Sequence, residues 1–291
     1  MEGKEVINAW SRNRWGAKTY QLHTEKNKVY RLVVEYFQGE GKASVSLKAG
    51  RYVKTDMKAL ASRLKDADAI IYVGGISPQL EGEEMRVDYP GFHGGDRTDI
   101  LLPAVQTELM KTLKGTGKPV VFVMMTGSAI AIPWEAANIP AIINAWYGGQ
   151  DAGTAIADVL FGDYNPSGRL PVTFYKSNAD LPDFNSYSME GRTYRYFKGK
   201  PLYAFGHGLS YTQFQYTDLK LTPLPGAQVK VQVQLRNTGP VDGEEVVQVY
   251  VSGKSGNLTT PLRSLKSFQR VFLKKGESKK LEVILNSEDI S

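Results

Sequence analysis

The pattern of apolar positions changes character twice along the chain. In the first fifty residues the apolar positions are β-branched or aromatic. They run Val29-Tyr30-Arg31-Leu32-Val33-Val34-Glu35-Tyr36-Phe37, break at Gly39-Glu40-Gly41, and resume in alternation as Ala43-Ser44-Val45-Ser46-Leu47. This predicts strands around a turn. Such strands are too few for an independent sandwich, so the segment reads as the tail of a β domain. From about Thr55 near-continuous apolar runs take over at 69–75, 119–125 and 141–146. Between them lie helical patterns: a segment from Asp56 to Leu64 with Leu60 and Leu64 on one face, another over 104–113, a short one near Pro133-Trp134-Glu135, and one over 152–160 ending at Gly162. Buried strands alternating with helices predict a mostly parallel sheet sandwiched by helices.

A turn cluster, Pro166-Ser167-Gly168-Arg169-Leu170-Pro171, closes that region, and a loop-rich, Tyr-rich stretch runs on to about Tyr211. Alternation then returns at 229–235, 245–251, 267–273 and 280–285, separated by Asn237-Thr238-Gly239, Asn257-Leu258-Thr259 and Lys275-Gly276-Glu277. The spacing predicts a small β-sandwich with few strands. The fold class expected is therefore α/β, followed by a β-sandwich and preceded by partial β structure. The expected boundaries are 1–51, 52–214 and 215–291.

Composition narrows the chemistry. The chain has 291 residues, 42% of them hydrophobic and 23% charged, which is ordinary for a globular protein with a sizeable core. The net charge of +6 is scattered, its densest cluster being Lys274-Lys275 with Lys279-Lys280 around a turn. With no continuous basic stripe, no nucleic-acid partner is expected. No Cys is present and the three His are far apart, which removes thiolate sites and argues against a His-based metal site. No signal peptide or long apolar run is visible, so no membrane association is expected.

The candidate chemistry follows the first buried strand. After 69–75 comes an acidic loop, Leu80-Glu81-Gly82-Glu83-Glu84, then a Gly-rich loop, Gly91-Phe92-His93-Gly94-Gly95-Asp96-Arg97. Loops past the C-terminal ends of α/β strands are where such sheets place their chemistry. Glu81, Glu83 and Glu84 are thus the candidates for acid/base work, and like charges at Glu83 and Glu84 would favour a protonated Glu81. Asp96 and Arg97 are expected to pair and brace this loop. His93 could reach a hydroxyl of a ligand, and Trp134, Trp146 and Tyr147 could offer ring faces to a sugar. Gly115-Thr116-Gly117-Lys118 is no phosphate loop, because Thr112 stands where the first Gly belongs and Pro119 follows the Lys. Thr126-Gly127-Ser128-Ala129 lacks the closing Gly of a nucleophile elbow.

Several of these segments together resemble the C-terminal half of glycoside hydrolase family 3. Gly95-Asp96-Arg97 ahead of Leu101, Pro103 and Gln106 is similar to that family's segment after its acid/base loop. The long run from Trp146-Tyr147-Gly148-Gly149-Gln150 through Leu160-Phe161-Gly162-Asp163-Tyr164-Asn165-Pro166-Ser167-Gly168-Arg169-Leu170-Pro171 is a specific match. Phe205-Gly206-His207-Gly208-Leu209-Ser210-Tyr211 looks like the link to a fibronectin-III-like domain. Residues 1–51, with Tyr36-Phe37-Gln38-Gly39-Glu40-Gly41, look like the end of a protective-antigen-type β insert.

The resemblance implies a retaining, exo-acting β-glucosidase or β-xylosidase whose general acid/base is Glu81, with Glu83 as second choice. It implies no cofactor, and substrates that are β-linked oligosaccharides or aryl glycosides. The family's nucleophile is an Asp on an N-terminal barrel, in a Ser-Asp-Trp context that this sequence lacks. The resemblance thus implies half of an active site, with a barrel domain or a second copy of the chain as partner. The parent enzyme is expected in the periplasm or outside the cell. The competing expectation is a non-catalytic carbohydrate-binding or scaffold module.

Overall fold

The computed structural model describes residues 1, 3–8, 18–37, 45–50, 55–81, 87–94, 96–253 and 260–290. The turn at Gly39-Glu40-Gly41, Glu83, Glu84 and the Asn257-Leu258-Thr259 segment lie outside them. Two units are separable, Met1–Thr55 and Asp56–Ser291.

In the first unit the described residues contain no strand, contrary to the expectation for 29–37; of the strand expected over 43–47, residues 43 and 44 lie outside them. Val29, Val33 and Phe37 are 90%, 62% and 52% exposed. High β-propensity reflects a fit to a half-buried pleated surface. Among the described residues no neighbouring strand is present for this run to pair with, and it does not form one.

The second unit opens with helix α1 (Met57–Ser62), capped as the sequence predicts: Asp56 Oδ1 accepts from the amides of Lys58 and Ala59. Strand β1 (Ile70–Gly75) follows, and then a small antiparallel sheet of three two-residue strands, β2 (Asp88–Tyr89), β3 (Phe92–His93) and β4 (Asp96–Arg97). Helix α2 (Ala104–Lys114), strand β5 (Val120–Met125), helix α3 (Pro133–Asn138), strand β6 (Ala141–Asn144) and helix α4 (Ala152–Phe161) complete the α/β part. The main sheet is parallel in the order β1-β5-β6, with Ile70 opposite Val120 and Val121 opposite Ala141. Ile70, Phe122, Met124, Met110, Leu113, Ile130 and Ile132 form its core with Phe174. The C-terminal end of α4 is closed by Gly162 in the left-handed region, φ +86°.

Two features shape the C-terminal edge of this sheet. Gly75 sits at φ +124°, and a Cβ there would lie 1.8 Å from the Met125 carbonyl oxygen, so only glycine fits. Gln106 of α2 pairs with it: its Nε2 donates to the Gly75 carbonyl at 2.6 Å and its Oε1 accepts the Gly75 amide at 2.8 Å. The amide side chain thus imitates one more strand residue at the end of β1.

A 3₁₀ turn (Asn178–Asp180) and helix α5 (Thr193–Tyr196) lie in the loop-rich stretch. Among the described residues the β part then has five strands: β7 (Phe214–Leu224), β8 (Gln228–Asn237), β9 (Gly243–Val251), β10 (Ser264–Leu273) and β11 (Ser278–Leu285). They form one sheet in the order β11-β8-β7 and a second of β10-β9, all antiparallel. Leu235, Val247, Val271, Leu273 and Leu281 fill the space between. The sequence reading missed β7, an edge strand whose alternation is broken by Asp218 at φ +56°, by a register shift between Thr217 and Lys220, and by Pro223.

The α/β and β parts are joined through the turn cluster. Asn165 Nδ2 donates to the Asp242 carbonyl at 2.9 Å, and its Oδ1 accepts from Ser210 Oγ and the Tyr211 amide. Arg169 Nη2 meets Glu245 Oε2, and Glu245 Oε1 accepts from Tyr216 Oη. The adjacent Glu244 points to the other face of β9 and accepts from Tyr164 and Ser167, with Arg270 at 3.3 Å. Two consecutive carboxylates on one strand therefore take partners on opposite faces, as the two-residue period of a strand requires.

Candidate active site

The loop after β1 carries Glu81 to the C-terminal edge of the parallel sheet. A short turn places it there: the amides of Leu80 and Glu81 both donate to the Ser77 carbonyl, at 2.9 and 3.1 Å. The Glu81 side chain is 17% exposed. Three residues from three other segments converge on its carboxylate. Ser128, after β5, donates its Oγ proton to Oε1 at 2.6 Å. Tyr147, after β6, places its hydroxyl 3.2 Å from Oε2. Arg97 of β4 stands 3.8 Å from Oε1 through Nη1.

Arg97 is held in turn. Its Nε donates to the Asp99 carbonyl at 3.2 Å, and Nη1 donates to Ser128 Oγ at 2.9 Å and to the Ala129 carbonyl at 3.1 Å. Its Nη2 is buried without a hydrogen-bond partner among the described residues. Burial lowers its basicity somewhat, while the charges of Glu81 and Asp99 act to raise it.

Tyr147 reaches Glu81 because the backbone reverses just before it. Trp146 adopts φ +54°, a strained conformation for a bulky residue, and its indole packs edge-on against Phe174 at 6.1 Å. The Tyr147 ring then lies over Gly127, where a Cβ would come within 2.6 Å of it. Its hydroxyl is 2.5 Å from the Ile76 carbonyl oxygen. Burial is the main cause that raises Tyr147 above the ordinary phenol value, followed by the charge of Glu81.

The other residues singled out from the sequence fall elsewhere. Asp96 does not pair with Arg97. Neighbours along a strand point to opposite faces, so Asp96 is exposed while Arg97 turns inward to Glu81 and Ser128. His93 is exposed on β3, opposite Asp88 and Asp96. The Trp134 indole is covered by Lys111 and Lys114 of α2, whose Nζ atoms lie 5.8 and 6.0 Å from the ring centre. Sequence reasoning dismissed Thr126-Gly127-Ser128-Ala129 as a failed nucleophile elbow, yet Ser128 is the shortest contact of Glu81. It treated Tyr147 as a ring face, yet the hydroxyl is what meets the carboxylate. The available signal was position: both residues follow parallel strands next to the one that carries Glu81.

Among the described residues no cluster of three His, Cys, Asp or Glu could hold a metal ion, and no helix is long and apolar enough to cross a membrane. The arrangement is a partly buried carboxylate with fixed donors, suited to proton transfer at the sheet edge.

Comparison with known proteins bears on this geometry. Residues 5–211 match the glycosyl hydrolase family 3 C-terminal domain, and residues 245–291 match a fibronectin type III-like domain. The chain is 46% identical over 249 residues to a xylan 1,4-beta-xylosidase of Xylanibacter ruminicola, covering 85% of this chain and 29% of that protein. It is 37% identical over 239 residues to a periplasmic beta-glucosidase of Salmonella typhimurium, covering 77% of this chain and 30% of that one. Among solved structures, a family 3 beta-glucosidase of Bifidobacterium adolescentis superposes with a TM-score of 0.69 at 31% identity, over 80% of this chain and 35% of that chain. The glucose complex of a beta-glucosidase from Kluyveromyces marxianus gives 0.67 at 30% identity, over 81% and 29%. The chain thus spans about a third of the length of the relatives it matches.

Proposed function

The chain belongs to glycosyl hydrolase family 3, whose C-terminal domain it carries, and from that premise we propose that it supplies the acid/base side of a retaining, exo-acting β-glycosidase of the β-glucosidase or β-xylosidase type. The observation that carries this reading is the Glu81 carboxylate, partly buried at the sheet edge and held by Ser128, Tyr147 and Arg97. Substrates on this reading are β-linked oligosaccharides or aryl glycosides, as the names of the relatives suggest.

A retaining glycosidase works with two carboxyl groups about 5–5.5 Å apart. In the first step Glu81 gives its proton to the glycosidic oxygen as a carboxylate from outside this chain attacks the anomeric carbon. In the second, Glu81 takes a proton from the water that releases the sugar. The nucleophile belongs to the part of the parent enzyme that corresponds to the remaining two-thirds of the relatives, for which a barrel domain is the proposed source. His93 stays in the proposal as a contact to a sugar hydroxyl. Trp134 and Trp146 leave it, because Lys111, Lys114 and Phe174 occupy their rings. The proposed domains are a protective-antigen-type insert tail over 1–51, the α/β domain over 52–214 and the fibronectin-III-like sandwich over 215–291.

The test is hydrolysis of nitrophenyl β-xyloside and β-glucoside by the enzyme that contains this chain. Glu81→Gln should lower hydrolysis of a poor leaving group by about 10²-fold or more. Azide should restore turnover of an activated substrate, since it attacks the glycosyl-enzyme without a general base. Full activity in Glu81→Gln would transfer the role to Glu83.

A further inference from the structure

The hydrogen bonds around Glu81 are not symmetric, and their polarity distinguishes its two oxygens. A guanidinium can only donate. Arg97 Nη1 donates to Ser128 Oγ at 2.9 Å, so the single Ser128 proton is directed to Glu81 Oε1 at 2.6 Å. The chain Arg97 to Ser128 to Oε1 thus runs in one direction, and Oε1 is an acceptor in either protonation state of the carboxyl.

The other oxygen meets a different kind of partner. Tyr147 has one proton and two acceptors in reach, the Ile76 carbonyl at 2.5 Å and Glu81 Oε2 at 3.2 Å. The shorter contact takes the proton. With the Tyr147 proton on the Ile76 carbonyl, a lone pair of the phenol oxygen faces Oε2. With the phenol proton so placed, the 3.2 Å contact is a hydrogen bond only when Oε2 carries the hydrogen.

We propose that Tyr147 is a positioning residue that makes Oε2 the proton-bearing oxygen of Glu81, with Arg97 and Ser128 keeping Oε1 proton-free. The inference rests on the acid/base reading of Glu81 and assigns its two oxygens separate tasks. In the first step the Oε2–H bond breaks and its hydrogen goes to the glycosidic oxygen, which keeps the electron pair of the cleaved bond to the anomeric carbon. In the second step Oε2 takes a hydrogen from water as the water oxygen bonds to that carbon. Tyr147 and Ser128 keep their own protons throughout. Gly127 is part of the device, since its missing side chain is what lets the phenol ring lie against the loop after β5.

The test reads the proton directly. The full 291-residue chain is labelled with ¹³C at the glutamate carboxyl carbons, and the Glu81 signal is identified by its loss in Glu81→Gln. Tyr147→Phe removes the acceptor that faces Oε2, so the Glu81 titration should move to lower pH by about half a unit or more. Ser128→Ala removes a donor that favours the ionised form, so the titration should move the opposite way, and Ser128→Thr should restore it. A Tyr147→Phe titration that stays in place or moves up overturns the proposal, because it would make Tyr147 a donor to Oε2. Should Tyr147→Phe fail to fold, the serine pair decides: a downward or absent shift in Ser128→Ala overturns it. Since no turnover is read, failure here is separate from failure of the acid/base reading, which shows as retained hydrolysis in Glu81→Gln.

Discussion

Arg169 Nη2 lies 2.6 Å from Glu245 Oε2, and both side chains are 12% exposed. This ion pair joins the turn cluster of the α/β part to the first residues of β9. Its surroundings complete it: Arg169 Nη1 donates to the carbonyls of Ser167 and Gly168, and Tyr216 donates to the second oxygen of Glu245.

A buried pair of this kind makes single and double substitutions behave differently. Arg169→Ala should destabilise the chain by about 3–5 kcal/mol, because Glu245 is left as a buried charge without a counter-ion. Replacing both residues by Met and Leu should cost less than either single truncation. Urea denaturation of the three variants checks this, and a double variant less stable than both singles would contradict it.

Gly75 offers a second test, of backbone rather than charge. Gly75→Ala should cost about 2 kcal/mol or more, since the new Cβ meets the Met125 carbonyl oxygen and the residue must hold φ +124°. Gly149→Ala is the control. A Cβ there meets nothing within 4 Å, and its effect should stay within about 0.5 kcal/mol.

Tyr147 should report on Glu81 spectroscopically. Its phenol is raised by burial first and by the Glu81 charge second. Glu81→Gln removes the carboxylate's charge and its hydrogen bond, and leaves burial in place. The Tyr147 titration, followed by its ¹³Cζ signal, should therefore move down toward the ordinary phenol range without reaching it. An unchanged titration would mean that the carboxylate charge does not reach the phenol.

His207 gives the chain a pH dependence on the acid side. Burial, and then the neighbouring Arg169, lower its pKa below the ordinary histidine value, and its ring stacks on Tyr203 at 5.1 Å. The unfolded chain, with a histidine near 6.5, binds the proton more readily than the folded one. Stability from this residue is therefore intact above about pH 6.5, falls as pH drops through that value, and levels off below the folded pKa. Melting temperatures at about pH 7.5 and pH 5.5 should differ more in the parent chain than in His207→Gln.

How far the sequence could be read depended on where each element finds its partner. The strands β1, β5 and β6 were legible because both faces carry apolar residues in unbroken runs, and α1 because Asp56 marks its start. The strand expected over Val29 to Phe37 does not form among the described residues, because that propensity is local whereas a strand needs a neighbour. In the β part, β7 was hidden by Asp218 and Pro223, which an edge strand tolerates. At the candidate site, Glu81 was placed by a rule about strand ends. Ser128 and Tyr147 were not seen as its partners, being 47 and 66 residues away along the chain. The pairing of Asp96 with Arg97 followed adjacency in sequence and failed because adjacent strand residues diverge.

The segment from Tyr164 to Leu170 was among the stretches that most strongly resembled family 3, yet its hydrogen bonds go to the β-sandwich and to the 206–211 link rather than to Glu81. For anyone shortening the chain this matters more than the domain names do. A cut between the α/β part and the sandwich would strip Asn165 Nδ2, Tyr164 Oη and Arg169 Nη2 of their partners in one stroke. The seam that looks like a convenient place for scissors is a hinge pin, and expression of the α/β part is best planned with the strand that holds Glu244 and Glu245 still attached.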